Sequence, residues 1–190
     1  MYEAIKADPG ELVRAAARKR LINFARYMQP DLVLEPFHVV YYTLLDMFAH
    51  GKIRKMIVQQ PPQHGKSEGS SRKLPAFMLG LDPDRKICIG SYAATIARDF
   101  NRDVQRIIDT PRYRELFPGT YLNGSNVVTM ANTYLRNSDV IEMVGRKGSL
   151  RVVGRGGSLT SKTVDVSILD DVYKDYAEGN SPIVRAAAWK

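Results

Sequence analysis

Cysteine is almost absent from this chain. Cys88 is the only one among 190 residues, so no internal disulfide can form and a small cross-linked scaffold is excluded. The thiol sits in the apolar run Ile87-Cys88-Ile89, which predicts a buried, reduced side chain and a reducing, intracellular setting. Long apolar runs are missing too. None reaches the ~20 residues that span a bilayer, and Met1-Tyr2-Glu3-Ala4 does not start a signal peptide. No repeat or low-complexity tract is visible. Acidic residues are in short supply: 20 Asp and Glu stand against 28 Lys and Arg, a formal net charge of +8. That excess favours a polyanionic partner, nucleic acid above all. What remains is ordinary globular composition, 44% hydrophobic and 25% charged, enough for one domain with a sizeable core.

The strongest positive signal is Gln60-Pro61-Pro62-Gln63-His64-Gly65-Lys66-Ser67, directly after the apolar Met56-Ile57-Val58. Its Gly-Lys-Ser ending is the working half of a phosphate-binding P-loop. In such a loop backbone N–H groups face a triphosphate, the lysine reaches the β/γ-phosphates and the serine hydroxyl ligates Mg²⁺. A helix starting near Lys66 would aim its positive end at the same phosphates. Gln60 stands where the strict pattern has its first glycine. Gly65 permits close backbone approach, while Gln63 and His64 offer mainly their N–H groups. Downstream, Val164-Asp165-Val166-Ser167-Ile168-Leu169 runs into Asp170-Asp171. A β-rich run ending in acids is the Walker B arrangement, in which Asp170 would hold the Mg²⁺ shell. The next acid, Asp171, would orient and deprotonate water.

Periodicity predicts an α/β chain. Helices are expected over 9–28 and 36–49, the second burying Phe37, Val40, Leu44, Leu45 and Phe48. The first carries a basic face from Arg14 to Arg20, which is solvated or contacts DNA or a subunit. A strand over 53–58 then leads into the loop, and a helix over 66–79 follows. Strand 86–90, helix 93–108 and a turn-rich connector over 111–118 come next. Short strands are expected around 127–129, 134–135, 140–144 and 150–153, with 164–169 feeding the two acids. Strands alternating with helices point to a parallel sheet covered on both faces. The division is a helical part over 1–52 and a nucleotide-binding core over 53–190.

From about Glu35 onward these residues resemble the N-terminal ATPase motor of the large terminase subunit of tailed bacteriophages. The resemblance rests on Pro61-Pro62-x-x-Gly65-Lys66-Ser67, Ser91-Tyr92, Tyr113 with Phe117-Pro118, Gly154-Arg155-Gly156-Gly157-Ser158-Leu159-Thr160 and Asp170-Asp171, in that order. It implies a P-loop NTPase core of the additional-strand type, with a mainly parallel sheet flanked by helices, using ATP and Mg²⁺. It implies translocation of double-stranded viral DNA by a ring, most often of five subunits, docked on the portal protein of the procapsid and served by a small terminase subunit. The setting would be the cytoplasm of a bacterial host. The family's C-terminal nuclease and the strand and coupling motif after Walker B find no counterpart before Lys190, so the chain reads as part of a longer protein without nuclease activity.

Individual roles follow from motif and resemblance together. Lys66 neutralises phosphate charge, and Asp171 is the preferred water-activating acid, although many related ATPases carry Glu there; Glu178 is the alternative. Arg155 is the candidate arginine finger supplied to a neighbouring subunit, with Arg146 and Arg151 as competitors and DNA phosphate as another use. Gln29, Phe37 and His38 lie where related ATPases draw adenine contacts. A helicase-like ATPase and an ATP-binding module with negligible turnover remain open alternatives.

Overall fold

In the computed structural model, residues 8–128, 133–157 and 163–188 are described. Met1–Ala4 at the start, Thr129 of one expected strand and Ser158–Thr160 of the Arg-Gly-Gly stretch lie outside them.

The first helix of the sequence pattern is two helices, α1 (Pro9–Lys19) and α2 (Leu21–Met28). Asp8 caps α1 by accepting from the Gly10 N–H at 3.1 Å. The break is at Arg20, whose backbone is extended. Its cause lies in α3 (Pro36–Ala49). Asp46 of α3 is buried, accepts the Leu21 N–H at 2.8 Å and pairs with Arg20 at 3.0 Å. It thereby takes the place of an N-cap that α2 lacks locally. The basic face is also internally paired: Arg14 bonds Glu11 and Asp8, and Arg18 bonds Glu11.

That anchoring turns α3 away from its expected orientation. Tyr41, Tyr42, Leu45, Asp46 and Ala49 are buried, whereas Phe37, Val40 and Leu44 are exposed and Phe48 is half-buried. The core below is aromatic. Phe24, Phe77, Tyr113 and Phe117 pack with ring centroids 5.2–6.4 Å apart. The buried Tyr113 hydroxyl donates to the Ala76 carbonyl at 2.8 Å.

Residues 53–58 are not a ladder strand. Arg54, Lys55, Met56 and Val58 face the final strand across a cavity of about 520 Å³, so no neighbouring edge is close enough to pair with them. Ile57 points outward and is 91% exposed. Helix does start at Lys66, but Glu68–Lys73 form a π-helical turn before α4 (Leu74–Leu81). Pro75 supplies the reason: it has no N–H for the Ser71 carbonyl, and the Leu74 N–H reaches back to Gly69 instead.

The sheet has the order β2-β3-β1-β4, with β1 Lys86–Ser91, β2 Val140–Glu142, β3 Ser149–Gly154 and β4 Val166–Leu169. β1 pairs in parallel with both β3 and β4, and β2 adds an antiparallel edge on β3. α5 (Ala94–Asp109) packs across β1 and β3 through Ala97, Phe100, Val104 and Ile108. The expected two-sided cover does not extend to β4, where Ser167 and Leu169 are exposed. Two further differences are local. The connector over 111–118 contains a helix, α6 (Pro111–Leu116), capped by the Thr110 hydroxyl accepting from the Tyr113 N–H at 3.2 Å. The expected strand over 134–135 is absent, and Val127 makes only an isolated bridge with Arg136. Two short helices, α7 (Tyr176–Asn180) and α8 (Pro182–Ala188), follow β4. No helix among the described residues is long and apolar enough to cross a membrane.

Candidate functional site

The carboxyl ends of β1, β3 and β4 lie side by side because the three strands are parallel, and the loop over Gln60–Ser67 meets them there. Gln60, Pro61, Pro62, Gln63, Gly65, Lys66 and Ser67 line a polar cradle of about 420 Å³ together with Glu68, Arg72 and Asp171. Gln63 and Gly65 both have left-handed backbone, φ 62° and 73°. At Gly65 it is this backbone conformation that favours glycine, since a Cβ there would make only ordinary contact with the His38 ring, 3.4 Å from Nε2. The His38 ring holds the loop from below. Its Nδ1 accepts the Glu35 N–H at 3.0 Å, so the proton is on Nε2, which donates to the His64 carbonyl at 3.3 Å.

Lys66 lies across the gap between loop and sheet. Its ammonium donates to Asp171 Oδ1 at 2.9 Å and is 3.7 Å from Asp170 Oδ1. The hydrogen bond from Lys66 to Asp171 raises the lysine's pKa. The charges of both acids add to this, and partial burial opposes it. The Lys66 carbonyl accepts from Tyr41 at 2.6 Å and from Ser70 at 2.9 Å. Burial pushes the Tyr41 hydroxyl up to about 12, which keeps it a neutral donor.

Asp170 and Asp171 differ sharply. Asp170 is buried; its N–H donates to the Gly90 carbonyl at 2.9 Å, and its Oδ2 accepts from Ser71 at 2.6 Å. Asp171 exposes 61% of its side chain, has φ 48° and is held by its carbonyl, which accepts from Tyr92 N–H at 2.9 Å. Among the described residues, two buried side-chain polar atoms have no partner, Gln60 Oε1 and Ser91 Oγ, and both belong to this region. Continuing the register in which Gly90 faces Leu169 places Ser91 beside Asp170 on the same sheet face.

Arg155 follows directly on β3, and its N–H donates to the Ser91 carbonyl at 2.9 Å. Its guanidinium is held within the chain by both oxygens of Glu178, at 2.7 and 3.2 Å. The Arg155 bonds lead, with the Lys174 N–H second, in bringing the Glu178 carboxyl down to about 2. Neither residue therefore stands free for the role expected of it: the finger candidate has a carboxylate partner in cis, and the alternative base is occupied by that arginine. Arg146 lies before β3, at the opposite end of the sheet, and Arg151 pairs with Glu142 at 3.9 Å. Of the adenine candidates, Phe37 stacks on His38 with centroids 3.9 Å apart and lies 5.6 Å from His64. Phe37 also lines a small groove with Gln59 and Gln60. Gln29 instead ends α2, where its N–H donates to Ala25.

Two residues here escaped the motif reading. Ser71 reaches Asp170, and Arg72 lines the cradle while bound to Asp103 at 2.7 Å and lying 5.0 Å over the Phe100 ring. Both belong to the π-helical turn, which lies outside the motif. Among the described residues no cluster of three or more His, Cys, Asp or Glu could hold a metal. The donor set is two carboxylates and serine hydroxyls, which suits a hydrated Mg²⁺ completed by phosphate better than a protein-only cage.

No protein-family model matches this chain, and no curated protein or solved structure matches it.

Proposed function

We propose that this chain is the ATP-hydrolysing part of a DNA-packaging motor of the phage large-terminase type, built on a P-loop NTPase core. The observation that carries the reading is the meeting of Lys66 with Asp171 and Asp170, more than a hundred residues later, at the rim of a polar loop cradle. The sequence motif requires that meeting, and chance placement of a Gly-Lys-Ser turn does not.

In this reading the loop N–H groups and Lys66 bind the triphosphate, and Ser67 and Asp170 hold Mg²⁺, which supplies charge neutralisation on the phosphates. The unpaired Ser91 hydroxyl beside Asp170 and the unpaired Gln60 oxygen suit water and ligand donors at that position. Asp171 takes the proton from water as its oxygen bonds the γ-phosphorus and the bond to the β–γ bridging oxygen breaks. For that, phosphate must draw Lys66 away from Asp171, freeing the carboxylate. The net charge of +8 supports double-stranded DNA as partner. The ring, the portal and small-subunit contacts and a host-cytoplasm setting belong to the same proposal.

A second reading has one observation in its favour. Arg155 is tied to Glu178 within the chain, which favours an ATP-binding module with negligible turnover until a partner separates the pair.

The test is steady-state ATP hydrolysis with Mg²⁺ across a protein concentration series, beside Lys66→Ala. Turnover that rises faster than protein concentration and is lost in the variant supports the motor. Lys66-dependent nucleotide binding without turnover supports the second reading. Absence of nucleotide binding removes both.

A further inference from the structure

Ser67 is the hydroxyl that the motif assigns to the cation, yet among the described residues it makes no hydrogen bond to either acid. The hydroxyl that does is Ser71. It is fully buried and donates to Asp170 Oδ2 at 2.6 Å, across 99 residues of sequence, and Asp170 is itself 3% exposed. The other carboxylate oxygen, Oδ1, is the one nearest Lys66, at 3.7 Å. The two oxygens of Asp170 are thus divided between a fixed internal donor and the loop lysine.

The helix geometry is what delivers this serine. Residues Glu68–Lys73 are π-helical, and Gly69, Ser71 and Lys73 are all buried. Their burial reflects cover on more than one side of the turn, since Gly69 lies against Tyr41 and Leu45 and Ser71 against Asp170. π-Bulges are rare and concentrate at functional sites. Pro75 enforces this one by removing the N–H that an α-helix would offer to the Ser71 carbonyl. Ser71 is further embedded: its oxygen lies 3.3 Å from Ser70 Oγ, and Ser70 donates to the carbonyl of Lys66. With one proton given to the Lys66 carbonyl and the other to Asp170, the two hydroxyls are close neighbours that each hold a different part of the site.

We propose that Ser71, rather than Ser67, is the positioning residue for Asp170, occupying Oδ2 so that Oδ1 alone is presented to Lys66 and a divalent cation. The proposal rests on the ATPase reading of the site and adds an element that the motif does not contain. A hydroxyl that fixes a metal-directed carboxylate acts on cation affinity first. Partners of this kind typically change it about 10–100-fold when removed.

The experiment compares the wild-type chain with Ser71→Ala, Ser71→Thr and Ser67→Ala, each checked for folding by circular dichroism. The Mg²⁺ concentration giving half-maximal ATP turnover is measured, together with ATP affinity in EDTA. Ser71→Ala is expected to raise the Mg²⁺ requirement about tenfold and to leave metal-free ATP affinity unchanged. Ser71→Thr, which keeps the hydroxyl, is expected to restore the wild-type requirement. An unchanged Mg²⁺ requirement in Ser71→Ala overturns the proposal while leaving the ATPase reading intact. Equal impairment in the Ala and Thr variants overturns it as well, since packing and not the hydroxyl would then matter. A wild-type chain that binds no nucleotide removes the ATPase reading, and one that binds nucleotide without turnover gives no turnover titration. Mn²⁺ binding to the chain alone, followed by electron paramagnetic resonance, then decides the Ser71 role. Weaker binding in Ser71→Ala supports it, and equal or absent binding overturns it.

Discussion

The two edges of β4 are opposites. Its inner edge is in register with β1 over four residues and ends in a buried acid held by a backbone carbonyl and a serine. Its outer edge faces a cavity, on whose far bank residues 54–58 run without ladder bonds. Both banks carry apolar and β-branched residues, Met56-Ile57-Val58 on one and Val166 and Ile168 on the other, so local β propensity alone does not separate them. The difference is hydrogen bonding. Where the ladder is complete the strand can place a carboxylate to within a few tenths of an ångström; where it is not, the chain carries apolar side chains without fixing them.

The sharpest way to break this comparison is at the two acids. Asp171→Asn is expected to lower turnover about 100-fold or more while leaving nucleotide affinity in place, as loss of a general base does. Asp170→Asn, on the fixed inner edge, is expected to lower turnover and to raise the Mg²⁺ requirement. Single-turnover kinetics with nucleotide-binding measurements separates them, and identical behaviour of the two variants would contradict their division of roles. Next in size is stability. Ile168, 8% exposed in β4, is expected to cost about 2–4 kcal/mol when replaced by alanine, as measured by urea unfolding.

The Arg155–Glu178 pair is a smaller effect and has a defined pH sign. The folded carboxyl lies at about 2, below the ordinary 4.5. Its contribution is therefore full above about 4.5 and is lost as pH falls toward 2. Hydrogen-exchange protection of the Lys174 amide, which donates to Glu178 at 3.1 Å, should disappear over that window. In Glu178→Gln, protection should show no such pH dependence. The smallest effect belongs to the outer bank: Ile57→Ser is expected to stay within about 0.5 kcal/mol of wild type. A cost matching that of Ile168→Ala would show that the outer bank is packed after all.

Much of this arrangement is readable in the residues. The helix start at Lys66, strands β1 and β4, and α5 with its three-to-four spacing are local patterns, and the structure follows them. What was unreadable depends on distant partners. The break at Arg20 needs Asp46, which lies in another helix. The face of α3 follows from that anchor. The apolar run before the loop has β propensity but no adjacent edge. The π-turn was half legible, since Pro75 inside a helical pattern announces a disturbance without saying which side chains it redirects. α6 was legible and missed, because Thr110-Pro111 is a cap followed by a first-turn proline. At the site, the loop and the two acids were visible as strings, while the Ser71 contact and the cis pairing of Arg155 were not.

The single cysteine has one more use. Cys88 is buried in β1, and burial raises its thiol pKa, so it should react slowly with maleimides. Cysteines introduced at the exposed positions 57 and 169 would then be labelled almost alone. Fluorophores on that pair would turn the gap beside β4 into a distance that can be followed in real time, one molecule at a time.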